Sequence, residues 1–240
     1  MFNARSGKLE RLDTGDYTPE EYERFLVEIA FINRVLGDSR ALKKTLLNEI
    51  EKADLRQFSV LDVGAGSGEL LRAIAKFAKR QNRDAALFGL ELNARSARAI
   101  KEESQKYSKI FGIRGDAFQL PFADNTFDYA ICSLFTHHFV DENAIRILSE
   151  MSRIAQRRIF VIDLHRHAAA YVFYKMFCRA FRISPLVRED GSLSILRSFK
   201  PRELERLANE MQLEDFSVKR CFPFRLVLEG TNFNAENAEK

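Results

Sequence analysis

Asp62, Gly64, Gly66 and Gly68 stand at alternate positions directly after the apolar residues Val60 and Leu61, and Glu69 follows at once. An apolar strand that ends in an acid and three glycines builds a floor of bare backbone on which a nucleoside cofactor can lie. The spacing selects among cofactors. A dinucleotide fingerprint needs G-x-G-x-x-G, which sets a pyrophosphate on the start of the following helix. Here Gly64 and Gly66 fit, but the third glycine position holds Glu69, whose carboxylate repels a pyrophosphate. A nicotinamide-dependent oxidoreductase is disfavoured on that ground. One strand-helix-strand unit further on stands Glu91, in Phe88-Gly89-Leu90-Glu91-Leu92. A carboxylate at such a strand tip accepts charge-assisted hydrogen bonds from two adjacent ribose hydroxyls. The competing reading is an N-terminal acid for the helix that opens near Asn93.

The histidines are the second chemical signal. All four, His137, His138, His165 and His167, fall just past the predicted strands 127–133 and 158–163. Three readings compete. An imidazole titrates near working pH and serves as a general base. Asp163-x-His165-x-His167 offers metal-ligating side chains, though without the spacing of two histidines one helical turn apart. The third reading is capping and packing where loops begin. The base reading leads, on His137 and His138, and the expected site contains no metal.

These residues need elements to hold them. Strands are expected at 59–63, 86–91, 109–114, 127–133, 158–163, 213–220 and 222–229, with helices at 69–80, 94–106, 142–154, 167–182 and 201–211 between them. Strands alternating with helices predict a parallel sheet covered on both faces, and the last two strands form a hairpin with Pro223 at its turn. Upstream, Thr18-Pro19-Glu20-Glu21 opens a helix whose stripe Tyr22, Phe25, Leu26, Ile29, Ile32 and Leu36 ends at Gly37, and a second helix runs over 39–52. Residues 1–16 show no apolar period and read as a mobile or loosely docked arm. Residues 167–182 form an amphipathic helix with Lys175, Arg179 and Arg182 on one face. It reads as a helix packed on the sheet, a cap over an apolar pocket, or a peripheral membrane contact. Arg188 to Ser192 is expected as a turn, and Arg188 or Arg197 either as a partner for an acidic substrate or as a solvated surface charge. The domain division follows: 1–57 an arm and helical extension, 58–231 the α/β domain with a cap insertion at about 165–200, and 232–240 a tail.

The D-x-G-x-G-x-G pattern resembles motif I of the class I S-adenosylmethionine-dependent methyltransferases, whose donor has no phosphates, so Glu69 is tolerable there. Gly115-Asp116-Ala117-Phe118 and the stretch Pro121 to Asp128 also resemble that family, so the specific likeness covers about 58–163 and element order extends it to 230. The resemblance implies a Rossmann-like, seven-stranded, mostly parallel sheet with an antiparallel last strand. It implies S-adenosylmethionine binding by Asp62, Gly64, Ala65, Gly66, Gly68, Glu91, Leu92, Asp116, Ala117 and Ser133, with Asp116 on the adenine amino group. In that fold the strands preceding the two histidine pairs are neighbours, and their ends border the place where the methyl group emerges. The acceptor implied is a small apolar or phenolic metabolite, of the kind represented by quinones and polyketides. A phenol at pKa ~10 gives its proton to an imidazole at ~6.5 uphill by about 5 kcal/mol. A base that assists as the methyl moves still contributes roughly 10²- to 10⁴-fold. A carboxylate acceptor needs no base, so the histidines favour a hydroxyl or carbon nucleophile.

Nucleic-acid amine methylation would want Asn/Asp-Pro-Pro-aromatic after the fourth strand, and protein-arginine methylation paired glutamates; Cys132 to His138 has neither. A net charge of +4 over 240 residues does not call for a polyanionic partner. Three well-separated cysteines, Cys132, Cys178 and Cys221, read as free thiols, and with no apolar span the expectation is a cytoplasmic chain, monomeric or homodimeric. The alternative to an enzyme is a donor-binding, non-catalytic partner of the same fold.

Overall fold

The computed structural model describes residues 2–36 and 38–231. The helix end expected at Gly37 and the tail at 232–240 lie outside the described residues. α1 (Arg11–Thr14) and α2 (Pro19–Leu36) precede one helical run made of α3 (Ser39–Leu42), a π-helical turn (Lys43–Leu47) and α4 (Asn48–Lys52). The α/β part follows as β1 (Gln57–Val63), α5 (Glu69–Arg80), β2 (Asp84–Glu91), α6 (Ala94–Glu103), β3 (Ile110–Arg114) and β4 (Phe127–Ser133). A 3-10 turn (Thr136–His138), α7 (Asp141–Ile154), β5 (Ala155–Leu164), α8 (Ala168–Ala180), α9 (Pro185–Arg197), α10 (Pro201–Glu210), β6 (Glu214–Cys221) and β7 (Arg225–Thr231) complete it.

The sheet has the order β3-β2-β1-β4-β5-β7-β6, and β7 runs antiparallel to both of its neighbours. This is the seven-stranded, mostly parallel arrangement expected. Strand alternation divides the core between the two faces. Leu61 and Val63 of β1 and Ile159 and Val161 of β5 pack with Ile147 and Met151 of α7 and Leu204 of α10. Val60, Phe160 and Ile162 face the other way, onto Leu42, Leu46, Ile50, Leu71 and Ile74. Because the chain order reverses between β1 and β4, both strands end at a crevice, where ligands of open α/β sheets bind.

Two expectations need correction. Arg188 to Ser192 is the middle of α9 and not a turn. Gly191 is accepted there because a Cβ would sit 2.1 Å from the Tyr174 hydroxyl, so close helix packing outweighs the local turn preference of Glu-Asp-Gly-Ser. Residues 5–16 form no loose arm either. Arg5 Nε donates to the Arg197 carbonyl at 2.7 Å, and its guanidinium lies 4.0 Å from the Phe199 ring centre. The backbone N–H groups of Arg11 and Leu12 donate to Asp190 at 2.9 and 3.0 Å. Polar anchoring leaves no apolar period to read, which is why the docking is invisible to hydropathy.

Gly112 lets β3 approach α6 closely: a Cβ there would lie 2.0 Å from the carbonyl oxygen of Ala97 on α6. Gly112→Ala is expected to cost about 1–3 kcal/mol of stability through overpacking. Urea denaturation reads this as a lower midpoint, and an unchanged midpoint would contradict the packing described.

Candidate active site

The glycine turn is built as its residues require. Gly64, Gly66 and Gly68 have φ of 72°, 56° and 82°, the left-handed region that a Cβ disfavours. A Cβ on Gly64 would fall 2.5 Å from the Phe135 ring, whereas the Cβ position of Gly66 is open for 4 Å. The N–H groups of Gly64 and Ala65 donate to the Leu90 carbonyl, which pins the turn to β2. Gly66 N–H donates to Glu91 Oε1 at 2.6 Å, so the glycine turn and the strand-tip acid are joined by one hydrogen bond.

Asp62 is buried, and its Oδ1 has no hydrogen-bond partner. Burial first, then the nearby Glu91 and Asp38, push its carboxyl well above the usual range. Burial also raises Glu91, against the lowering effect of the Gly66 N–H. A buried acceptor without a donor is costly, and a ligand bearing an ammonium or N–H group would satisfy it. Ser133 lies at the end of β4, where its hydroxyl donates to Asp38 at 2.6 Å. The other oxygen of Asp38 accepts from Arg225 Nε at 2.5 Å, in a buried pair that ties the start of α3 to β7.

Asp62, Gly64, Ala65, Gly66 and Ser133 line a cleft of about 920 Å³. Gly68, Glu91, Leu92, Asp116 and Ala117 are not part of that lining. Glu91 is joined to it through Gly66, and Leu92 beyond it is 68% exposed. Asp116 Oδ1 accepts from Phe118 N–H at 2.9 Å, which orders the turn after β3. Ala117 is buried in the core with Leu120 and Phe127. Gly68 is the N-cap of α5.

The other half of the cleft is apolar. Phe25, Ile29 and Ile32 of α2 line it together with Ala170, Phe173 and Tyr174 of α8 and Val187 and Ile195 of α9. The helix expected at 167–182 therefore walls the cleft along one side. Its exposed side carries Lys175 and Arg179 beside Val172 and Met176, the last two 54% and 65% exposed.

The four histidines separate into distinct roles. His167 is the N-cap of α8, its Nδ1 accepting from Ala169 N–H, so the capping reading holds for it. His165 lines the cleft; burial, followed by repulsion from His167 and Arg220, lowers it to about 4 and keeps it neutral at neutral pH. His137 and His138 occupy the 3-10 turn at the cleft's polar end. His137 is buried, and its Nδ1 donates to Asp163 Oδ1 at 2.6 Å. Thr136 Oγ1 and the His137 N–H donate to Asp163 Oδ2, and the Leu164 N–H to Oδ1. Burial alone would raise Asp163, but His137 and these donors bring it to about 2. Asp163, His165 and His167 consequently do not form a ligand set. Asp163 is committed to the 3-10 turn after β4, and His167 to its helix.

Glu10 and Asp13 are functional candidates that the sequence reading missed. Glu10 is buried 4.0 Å from His138 Nδ1, and Asp13 Oδ1 lies 3.6 Å from the same nitrogen. Burial disfavours the charged form of His138, yet Asp13 and Glu10 outweigh it and raise the imidazole. Arg197 is not available to an acidic substrate. Its guanidinium is spent on Asp13 at 2.7 Å and the His138 carbonyl at 2.6 Å. Glu10 carried only one signal in the sequence: an acid a short step from Asp13 in an arm without apolar pattern.

Known proteins supply the frame for this geometry. Residues 61–162 match the family described as a methyltransferase domain. A demethylmenaquinone methyltransferase from Bacillus licheniformis is 31% identical over 98 residues, which is 41% of this chain and 40% of that one. The ubiquinone/menaquinone biosynthesis C-methyltransferase UbiE of Rickettsia prowazekii is 30% identical over 103 residues, 40% of this chain and 42% of that one. The chain thus matches over less than half the length of these curated relatives. Among solved structures, the plantazolicin methyltransferase BamL superposes with a TM-score of 0.63 at 17% identity, covering 84% of this chain and 71% of that one. The family match is confined to residues 61–162, and the seven-stranded sheet shares the fold of that solved methyltransferase.

Asp190 is the hinge between arm and site. Asp190→Ala is expected to speed amide exchange at Arg11 and Leu12 by an order of magnitude or more while the strands keep their protection. Unchanged exchange at those two amides would contradict the docking.

Proposed function

We propose that the chain is an S-adenosylmethionine-dependent methyltransferase acting at carbon or oxygen of a small apolar acceptor, phenolic or quinone-like. The observation that carries the reading is one continuous cleft lined by the glycine floor, by apolar side chains of α2, α8 and α9, and by His137 and His138. The quinone-pathway names of the two curated relatives agree with that acceptor class.

The residues present fit the donor. Asp62 Oδ1 is a buried acceptor in want of a donor, and Gly66 leaves room that a side chain would fill. Asp62, Gly64, Ala65 and Gly66 would hold its amino-acid end, Glu91 its ribose, and Leu92 with Asp116 its adenine. When bound, the donor supplies an electrophilic methyl carbon. The chain's own part is then mostly placement. α2, α8 and α9 enclose the apolar body of the acceptor and exclude water, and positioning of this kind supplies several kcal/mol of rate. His137, held in one orientation by Asp163, and His138 activate the acceptor's nucleophilic atom.

Calorimetry with S-adenosylhomocysteine tests the donor half: the wild type is expected to bind, and Glu91→Ala to bind at least about tenfold more weakly through loss of a charge-assisted hydrogen bond. No binding by the wild type would sink the proposal. On a panel of phenols, quinols and fatty acids, turnover is expected with the first two, and His137→Ala and His138→Ala each lose roughly 10²- to 10⁴-fold. Donor binding without turnover on any acceptor would favour a non-catalytic partner.

A further inference from the structure

We propose that Glu10, His137 and His138 bind a divalent transition-metal ion at the polar end of the cleft. Each offers one ligand atom, and the three atoms lie within 4.8 Å of one another. Nitrogen and oxygen ligands about 2.1 Å from a shared ion stand roughly 3–4 Å apart, so closing the set takes a movement of about 1 Å. Two imidazoles and one carboxylate are the donor set that suits zinc, cobalt or iron, and three protein ligands leave positions open toward the cleft.

A second observation points the same way. The Nδ1 of His137 is committed to the buried Asp163 at 2.6 Å, which leaves Nε2 as its only free nitrogen. A carboxylate that holds the far nitrogen of a histidine fixes the tautomer and the ring for metal ligation. The rings of His137 and His138 lie 4.3 Å apart between centres, so both face the same side of the 3-10 turn. Glu10, Asp13 and Asp163 bring three carboxylates to this corner; Arg197 lies 2.7 Å from Asp13 and 3.8 Å from Glu10, and Arg5 donates to the His137 carbonyl at 3.1 Å. Ser194 Oγ donates to Glu10 Oε1 at 2.8 Å and orients that carboxylate.

The ion's use, though not its binding, rests on the methyltransferase reading. A Lewis acid at this point would hold the oxygen of a phenol or enol as its anion and remove the uphill proton transfer that a free imidazole faces. The ligand class is therefore an acceptor with an oxygen on, or next to, the atom that receives the methyl group.

The test is titration of the tag-free, chelator-treated full chain with Co²⁺ and Zn²⁺, read by calorimetry and by the Co²⁺ visible absorption bands. The wild type is expected to bind one equivalent with a ligand-field spectrum of low coordination number. Glu10→Gln and His138→Ala should abolish that spectrum, and Asp163→Asn should weaken binding by about 10- to 100-fold. S-adenosylhomocysteine titrations on the same preparations check folding and report on the donor site independently. Donor binding with no spectrum from the wild type overturns the metal site and leaves the methyltransferase reading. Equal metal binding by the wild type and both ligand variants also overturns it. A spectrum lost in the variants without donor binding by the wild type supports the ion and counts against the enzyme reading.

Discussion

The buried carboxylate of Asp163 is the constraint on which the histidine corner of the cleft depends. A charge removed from water must be repaid in full by local hydrogen bonds. Here the donors are the His137 ring, the His137 N–H, the Thr136 hydroxyl and the Leu164 N–H. Those donors come from the ends of two neighbouring strands, so satisfying one acid fixes the loop after β4 against the end of β5. His137 is left one orientation, and His138 follows from it. Arg197 then reaches the His138 carbonyl, and the N-terminal arm docks through Asp13, Glu10 and Asp190.

The two halves of the cleft are made by different means. The glycine half is backbone: a turn held to β2 by two N–H groups, with Glu91 closing on Gly66. Its acids sit raised by burial. The other half is side chain: apolar residues from three helices, with His137 and His138 also in the lining.

The glycine turn was legible in the sequence because a turn of bare backbone leaves a spacing. Glycines at Gly64, Gly66 and Gly68 cannot be exchanged without strain, and Glu91 must sit one strand-helix-strand unit on. The sheet was legible because buried parallel strands are apolar runs bounded by helices of regular period. The histidine corner was only half legible. His137 and His138 stood out by clustering, but their partners Glu10 and Asp13 lie more than a hundred residues away in a polar segment with no period. The helix through Asp190 and Gly191 was missed because tertiary packing against Tyr174 overrides the local turn signal. Arg197, read as a free cation, is consumed by an arm whose docking no local pattern announces.

The most direct measurement is a crystal structure of the full chain with S-adenosylhomocysteine. The account predicts the homocysteine amino group within hydrogen-bond reach of Asp62, the ribose hydroxyls on Glu91 in place of the Gly66 contact, and the sulfur facing His137 and His138 across the apolar chamber. A ligand seated away from Gly64–Gly66, or a sulfur turned from the histidines, would contradict it.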